Sequence, residues 1–201
     1  MIGGGGHAKV LIEALNCAGR VILGVLDPAL PVAAKVLGAE VLGDDQWLSA
    51  AFPEAVELVN GLGSVPDQSQ RRRDVFRRWK ALGYSFATVI HPSAIVASDV
   101  VLGEGVQIMA GVVMQPGTVI GANTIVNTRV SVDHDCEIGL DCHLAPGVTL
   151  SGSVRVGNGA HVGSGATVIQ GMVIGENAVI AAGATVYRDV PAGARFIPGK
   201  F

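Results

Sequence analysis

From residue 90 onward the chain repeats every six residues. An aliphatic side chain stands at Ile90, Val96, Leu102, Ile108, Met114, Ile120, Val126, Val132, Ile138, Leu144, Leu150, Val156, Val162, Val168, Ile174, Ile180 and Val186 without a break. With 49% of the chain hydrophobic, seventeen such hits in a row arise by chance roughly once in 100,000 sequences, so the pattern is an internal repeat. The residue four places on is nearly always small or β-branched, as at Ala94, Val106, Thr118, Cys136, Cys142, Ala160 and Val190. Both sets must point inward. A period of six suits neither a helix of 3.6 residues per turn nor a meander of hairpins. It predicts a parallel β-solenoid of short strands with Gly-rich corners such as Gly103, Gly121, Gly139, Gly157, Gly163 and Gly175. Three hexapeptides make one triangular coil. The stretch from Ile90 to Pro191 then makes between five and six coils, about 27 Å of prism at about 4.8 Å per coil.

The first ninety residues follow another pattern. Met1-Ile2-Gly3-Gly4-Gly5-Gly6-His7-Ala8-Lys9 leads into Val10, Leu11, Ile12, Ala14 and Leu15 on a predicted helix, and an apolar strand follows from Val21 to Leu26, ending at Asp27-Pro28. This is a β-turn-α-β unit. Gly3, Gly5 and Ala8 fit the G-x-G-x-x-G/A spacing that brings backbone N–H groups to a phosphate at a helix N-terminus, and Asp27 stands where a ribose-binding acid belongs. Fewer than ninety residues hold little more than half of a full dinucleotide fold, which favours a mononucleotide over NAD. Only Met1 and Ile2 precede the glycines, whereas the central strand of such a sheet needs about five residues, so either the sequence is clipped at its start or this strand is stunted. Val56 to Asn60 reads as a further strand whose loop, Asn60-Gly61-Leu62-Gly63-Ser64, lies beside the first Gly-rich turn. The basic run from Arg71 to Lys80 carries Val75, Phe76 and Trp79 at helical spacing and reads as a solvated amphipathic helix. The expected division is a Rossmann-like α/β half domain over residues 1–88 and a solenoid over residues 89–201.

Composition removes several function classes. Lys and Arg balance Asp and Glu at nine each in residues 1–89 and stand at five against eight in residues 90–201, so no nucleic acid partner is expected. Three cysteines, two of them inward, point to a reducing cytoplasmic setting rather than a disulfide framework. No basic start precedes a long apolar stretch, so neither a signal peptide nor insertion into a membrane is expected.

Candidate chemistry sits where polar residues interrupt the solenoid. Asp133-His134-Asp135 is the densest such cluster, at a corner; an imidazole between two carboxylates can act as a general base near neutral pH, and a surface histidine in an acidic turn is the other reading. His143 and His161 are three hexapeptides apart and should stack on successive coils, with His143 facing a ligand groove and His161 as its neighbour. No pair of histidines stands five apart as in the hexapeptide-repeat carbonic anhydrases, so no metal is expected. His91, before Pro92, reads as structural.

The motifs Gly3-Gly4-Gly5-Gly6-His7-Ala8-Lys9, Asp27, Ile90-His91-Pro92-Ser93-Ala94, Asn127-Thr128, Asp133-His134-Asp135-Cys136 and Cys142-His143-Leu144-Ala145-Pro146-Gly147 together resemble the bacterial sugar acetyltransferase family. The resemblance implies a left-handed parallel β-helix, a homotrimer, and acetyl-CoA in a groove between neighbouring solenoids, with no metal. It implies N-acetylation of a UDP- or GDP-linked dideoxy amino sugar, with O-acetylation of sialic acid or a related sugar hydroxyl as the alternative; a reading from another class is a non-catalytic trimeric solenoid that binds a ligand. By position, it makes His134 the base and Asp135 the acid that orients it, with Asn127 nearby. His143 lies beside the acetyl thioester, Gly152 offers an N–H to the thioester oxygen, and Ser164 and Ala182 contact the coenzyme. Gly5, Gly6 and His7 form the nucleotide-sugar loop and Asp27 the nucleoside contact, with Asn60 and Gly61 completing the substrate site. The loop at Asn60-Gly61-Leu62-Gly63-Ser64 departs from the Gly-Asp-Asn or Gly-Asn-Asn type run common in the family, so the resemblance does not specify the nucleotide base or the sugar.

Overall fold

The computed structural model describes residues 1–50, 52–66 and 69–197, in two compact units, Met1–Pro92 and Ser93–Phe201. In the first unit the parallel strands are very short. Ile2 bridges Leu26 on one side and Asn60 on the other, Val25–Leu26 pairs with Ala39–Gly43, and Glu57–Leu58 pairs with Ser85–Phe86. Lys35–Val36 adds an antiparallel neighbour to Ala39–Gly43. The strand expected over Val21 to Leu26 is thus limited to its last two residues; Val21 and Leu23 are exposed.

Two helices flank these strands. Helix α1 (Gly6–Cys17) buries Ala8, Leu11, Ile12, Ala14 and Leu15, the spacing of one helical face. Ile12 packs with Val25, Val36 and Val41. On helix α2 (Ser69–Ala81), Trp79 is buried with Ile2, Leu26, Leu48, Leu58, Tyr84 and Phe86, and Val75 and Phe76 pack against them. The basic run is therefore amphipathic as expected, with one correction: Arg72 is buried and donates through Nη1 to the carbonyls of Asn60 at 2.8 Å and Leu62 at 2.6 Å. It lies seven residues before Trp79, on the inward face.

The second unit is a left-handed parallel β-helix. Among the described residues each strand is two residues long, and strands three hexapeptides apart pair in register, as with Ser131–Val132 on Val113–Met114 and Thr149–Leu150. The first face carries Ile95–Val96, Val113–Met114, Ser131–Val132, Thr149–Leu150, Thr167–Val168 and Thr185–Val186. The second carries Val101–Leu102, Val119–Ile120, Glu137–Ile138, Arg155–Val156 and Val173–Ile174. The third carries Gln107–Ile108, Ile125–Val126, His143–Leu144, His161–Val162, Val179–Ile180 and Arg195–Phe196. In each hexapeptide from Ile108 to Val186 the aliphatic residue is buried, together with most of the small residues four places on, in one continuous core. Complete burial of a Val or Leu contributes about 2 kcal/mol each.

The corners obey two further rules. The third residue after each aliphatic position from Leu102 to Ile180 is left-handed: glycine in eight of these turns, but Asn123, Arg129, Asp135, Asp141, Ser153 and Asn177 with φ between 53° and 58° in the other six. The residue directly after the aliphatic position lies against the next coil. A Cβ on Gly157 would come within 2.5 Å of the Glu176 backbone nitrogen, so a close approach of two backbones, and not φ, demands glycine there. Inward hydroxyls and thiols share one solution as well. Thr118, Thr124, Cys136 and Cys142 each donate to the carbonyl fifteen residues ahead, at Asp133, Gly139, Ser151 and Gly157 respectively.

Candidate functional site

The Gly-rich turn of the first unit is held open by its neighbours. Gly3 has φ of +90°, and a Cβ added to Gly61 would lie 2.7 Å from the Gly3 carbonyl oxygen. The loop at Asn60-Gly61-Leu62 therefore packs directly on the glycine turn, with the Gly61 N–H donating to the Ile2 carbonyl at 2.7 Å. Gly5 caps α1 with extended backbone and no side-chain cap. Both Gly5 and Gly6 are exposed with open space around them, which leaves the positive end of the helix dipole turned to solvent. His7 opens the same helix and packs alongside Gly63.

Asp27 and Asn60 do more scaffolding than the sequence suggests. The Asp27 carboxylate accepts from the Gly4 N–H at 2.8 Å and from the Ala29 N–H at 2.9 Å, tying the glycine turn to the end of the second strand. Asn60 is buried, its Nδ2 donating to the Arg72 carbonyl at 3.0 Å while its Oδ1 accepts from the Leu62 N–H. Beside them lies a groove of about 310 Å³ lined by Gly3, Asp27, Asp44, Asp45, Leu62 and Arg71. It opens at the carboxyl ends of the parallel strands, where open α/β sheets bind ligands.

In the solenoid, Asp133-His134-Asp135 forms the corner between the first and second faces. Asp135 holds the left-handed position, which places its carboxylate Oδ2 2.8 Å from His134 Nδ1. Asp133 Oδ1 accepts from the His134 backbone N–H at 2.8 Å. The Asp135 hydrogen bond, backed by the charges of Asp133 and Asp135, holds the His134 pKa above the ordinary imidazole value, although desolvation acts the other way. With Nδ1 engaged, Nε2 is the nitrogen available for a proton. Gly152 sits one coil further along on the same edge, and a Cβ there would lie 2.6 Å from both Cε1 and Nε2 of His134. Gly152 thus makes room for the ring. No group among the described residues accepts from the Gly152 N–H.

A second cluster occupies the third face. His143 pairs in register with His161, and their rings meet edge to face at 4.9 Å. Asn127 Nδ2 lies 3.3 Å from His143 Nε2. His161 buries its Nδ1 without a hydrogen-bond partner among the described residues, and desolvation lowers its pKa. Ser164 and Ala182 are successive members of the column at the corner that follows this face. The predicted site residues of the solenoid therefore fall into two groups. His134, Asp135 and Gly152 share one edge, and Asn127, His143, Ser164 and Ala182 lie on the face opposite that edge or at its border. One chain does not bring the two groups together.

The buried cysteines have no part in this chemistry. Burial raises the Cys136 pKa and pushes the Cys142 thiol up to about 12, so neither supplies a thiolate. No group of three or more His, Cys, Asp or Glu among the described residues has the arrangement of a metal site, and no described helix is long and apolar enough to cross a membrane.

Two family models match the chain: the PglD N-terminal domain over residues 1–78 and the bacterial transferase hexapeptide (six repeats) over residues 153–188. A His-to-Asn mutant of perosamine N-acetyltransferase from Caulobacter crescentus, solved in complex with CoA and GDP-perosamine, is 40% identical, with 99% of this chain and 93% of that chain covered and a TM-score of 0.88. The acetyltransferase domain of PglB from Neisseria gonorrhoeae, solved with acetyl coenzyme A, is 33% identical over 96% of this chain and 92% of that one, with a TM-score of 0.90. WeeI from Acinetobacter baumannii, 22% identical over 96% of this chain and 93% of that one with a TM-score of 0.80, shares the fold. No match is found among curated protein sequences.

Proposed function

The chain belongs to the bacterial sugar acetyltransferase family of hexapeptide-repeat enzymes, and from that premise we propose that it transfers acetyl from acetyl-CoA to the amine of a nucleotide-linked amino sugar. The observation that carries this reading is the His134–Asp135 pair, with the free face of the imidazole turned over Gly152. The sugar amine attacks the thioester carbonyl carbon, and its N–H proton passes to His134 Nε2. The tetrahedral oxyanion accepts a hydrogen bond from the Gly152 N–H. Collapse breaks the C–S bond, and the leaving coenzyme thiolate takes a proton back from the imidazolium. Asp135 fixes the ring orientation and stabilises the imidazolium.

The same reading gives Gly5, Gly6 and His7 the diphosphate, Asp27 and Gly61 the nucleoside side of the groove, and Ser164 and Ala182 the coenzyme. Asn60 shapes that loop through Arg72. A guanosine nucleotide is the preferred carrier, since the relatives at 40 to 42% identity bind GDP-perosamine. The active assembly is a homotrimer in the cytoplasm, where acetyl-CoA is at hand. What supports the trimer is the separation of the two groups: a site that uses both His134 and His143 takes the first from one subunit and the second from its neighbour.

Subunit mixing tests the scheme directly. His134→Ala and His143→Ala proteins, each nearly inactive with acetyl-CoA and a GDP-linked 4-amino sugar, should regain activity when unfolded together and refolded, because mixed trimers contain intact composite sites. Two inactive parents that stay inactive after verified subunit exchange would refute the composite site. Amide product from the wild-type protein with GDP- or UDP-amino sugars is the test of the activity itself; ester product on a sugar hydroxyl with no amide would replace it with O-transfer.

A further inference from the structure

The second histidine of the site carries its own information about proton position. Asn127 Oδ1 accepts from the Thr128 backbone N–H at 2.7 Å and lies 3.3 Å from Thr128 Oγ1. These contacts orient the amide, so that the group 3.3 Å from His143 Nε2 is the Nδ2 donor. An amide NH₂ has no lone pair to offer. A proton on Nε2 would set two donors against each other, so Nε2 bears the lone pair and the neutral ring carries its proton on Nδ1. The fully protonated imidazolium fails by the same contact, at a ring only 9% exposed. His161 seals the other side: its ring crosses His143 at 90°, and its own Nδ1 is buried without a partner among the described residues, a place unsuited to a second charge.

We propose that Asn127 and His161 are positioning residues that lock His143 as a neutral imidazole protonated on Nδ1. In the reaction proposed above, on which this inference rests, His143 then serves as a hydrogen-bond donor to an oxygen of the acyl donor or acceptor, and His134 is the only base. The two histidines have opposite environments. His134 is tied to a carboxylate, which favours its protonated form, whereas His143 faces an amide donor, which forbids it. The site so separates the group that must accept a proton from the group that must keep one.

Long-range ¹H–¹⁵N correlation on the full-length protein labelled with ¹⁵N-histidine tests this, with the His143 signals identified by their loss in His143→Gln. The expected result is an Nε2 shift typical of an unprotonated ring nitrogen together with a protonated Nδ1. A protonated Nε2, or shifts averaged between tautomers, overturns the proposal. Asn127→Asp replaces the donor by an acceptor; the proton should move to Nε2 and kcat should fall by about a hundredfold. A folded Asn127→Asp protein with unchanged His143 signals overturns the role of Asn127. His161→Phe should keep the tautomer by keeping the edge contact, and His161→Ala should let the two tautomers average. Unchanged signals in His161→Ala remove His161 from the scheme. The outcomes separate from those of the functional reading: an Nδ1-protonated ring in a protein that acetylates no nucleotide amino sugar leaves the proton assignment standing and sinks the proposed reaction.

Discussion

Gly152→Ala perturbs the site through one methyl group. The new Cβ would lie 2.6 Å from Cε1 and Nε2 of His134 and 3.2 Å from Cδ2, whereas carbon contacts settle at about 3.5 Å or more, so the ring must retreat by about 1 Å. The retreat is easy, because the His134 side chain is half exposed and, among the described residues, is held by the 2.8 Å bond to Asp135. Nor is the backbone strained, since the left-handed residue of that corner is Ser153 and not Gly152. Removing a glycine from a conformation that alanine tolerates stabilises by about 0.4–1 kcal/mol through the unfolded chain. The fold should therefore hold while the base is misplaced, and a displacement of about 1 Å at reacting atoms costs on the order of a hundredfold in rate. Steady-state kinetics with acetyl-CoA and the amino sugar nucleotide, alongside a thermal melt, read both quantities. The expected result is kcat lowered about a hundredfold with Tm within about 3 °C of wild type. A folded Gly152→Ala protein whose kcat stays within about threefold of wild type would refute the placement of the base over Gly152.

Three further outcomes follow from the geometry. The base must be neutral to accept a proton, so the raised His134 pKa sets the acidic limb of kcat/KM above the ordinary imidazole range; Asp135→Asn removes the main cause and should move that limb to lower pH while lowering the plateau, and a limb that does not move would assign it to another group. Arg72→Met keeps a long side chain but takes its donor from the buried carbonyl of Asn60 and the half-buried carbonyl of Leu62; urea denaturation should show a loss of about 3 kcal/mol, and a loss under about 1 kcal/mol would deny the anchoring role. Two corner glycines should also rank by mechanism. Gly171, with φ of +73° and no atom near a Cβ, should cost about 1–2 kcal/mol on change to Ala, while Gly157→Ala, which drives a methyl into the Glu176 backbone nitrogen at 2.5 Å, should cost more, and the reverse order would show that the coils can separate.

The coils are legible in the chain because burial is periodic: a strand pair that must hide every sixth side chain tolerates no slip, so composition and spacing alone locate the core. Contacts between coils are equally legible once three hexapeptides are counted as one turn, which is how Gly152 meets His134 and His161 meets His143. Hidden from such counting are side chains that change role through burial. Arg72 reads as one more solvated cation in a basic run, yet its place seven residues before Trp79 puts it on the inward face, where its guanidinium serves two carbonyls. Asp27 reads as a nucleoside contact, yet both its oxygens already hold backbone N–H groups; each oxygen retains lone pairs, so scaffolding and binding are compatible. The grouping of the site follows from the same arithmetic. His134 and His143 are one and a half hexapeptides apart, half of a coil, which sets them on opposite sides of the prism however near they stand in sequence. No local rearrangement of a corner can close half a turn, because every strand is held in register by the coils on each side. Chemistry that needs both rings must therefore be shared between chains, and the fall in activity on dilution below the dissociation constant of the assembly should match the loss of oligomer rather than any loss of fold.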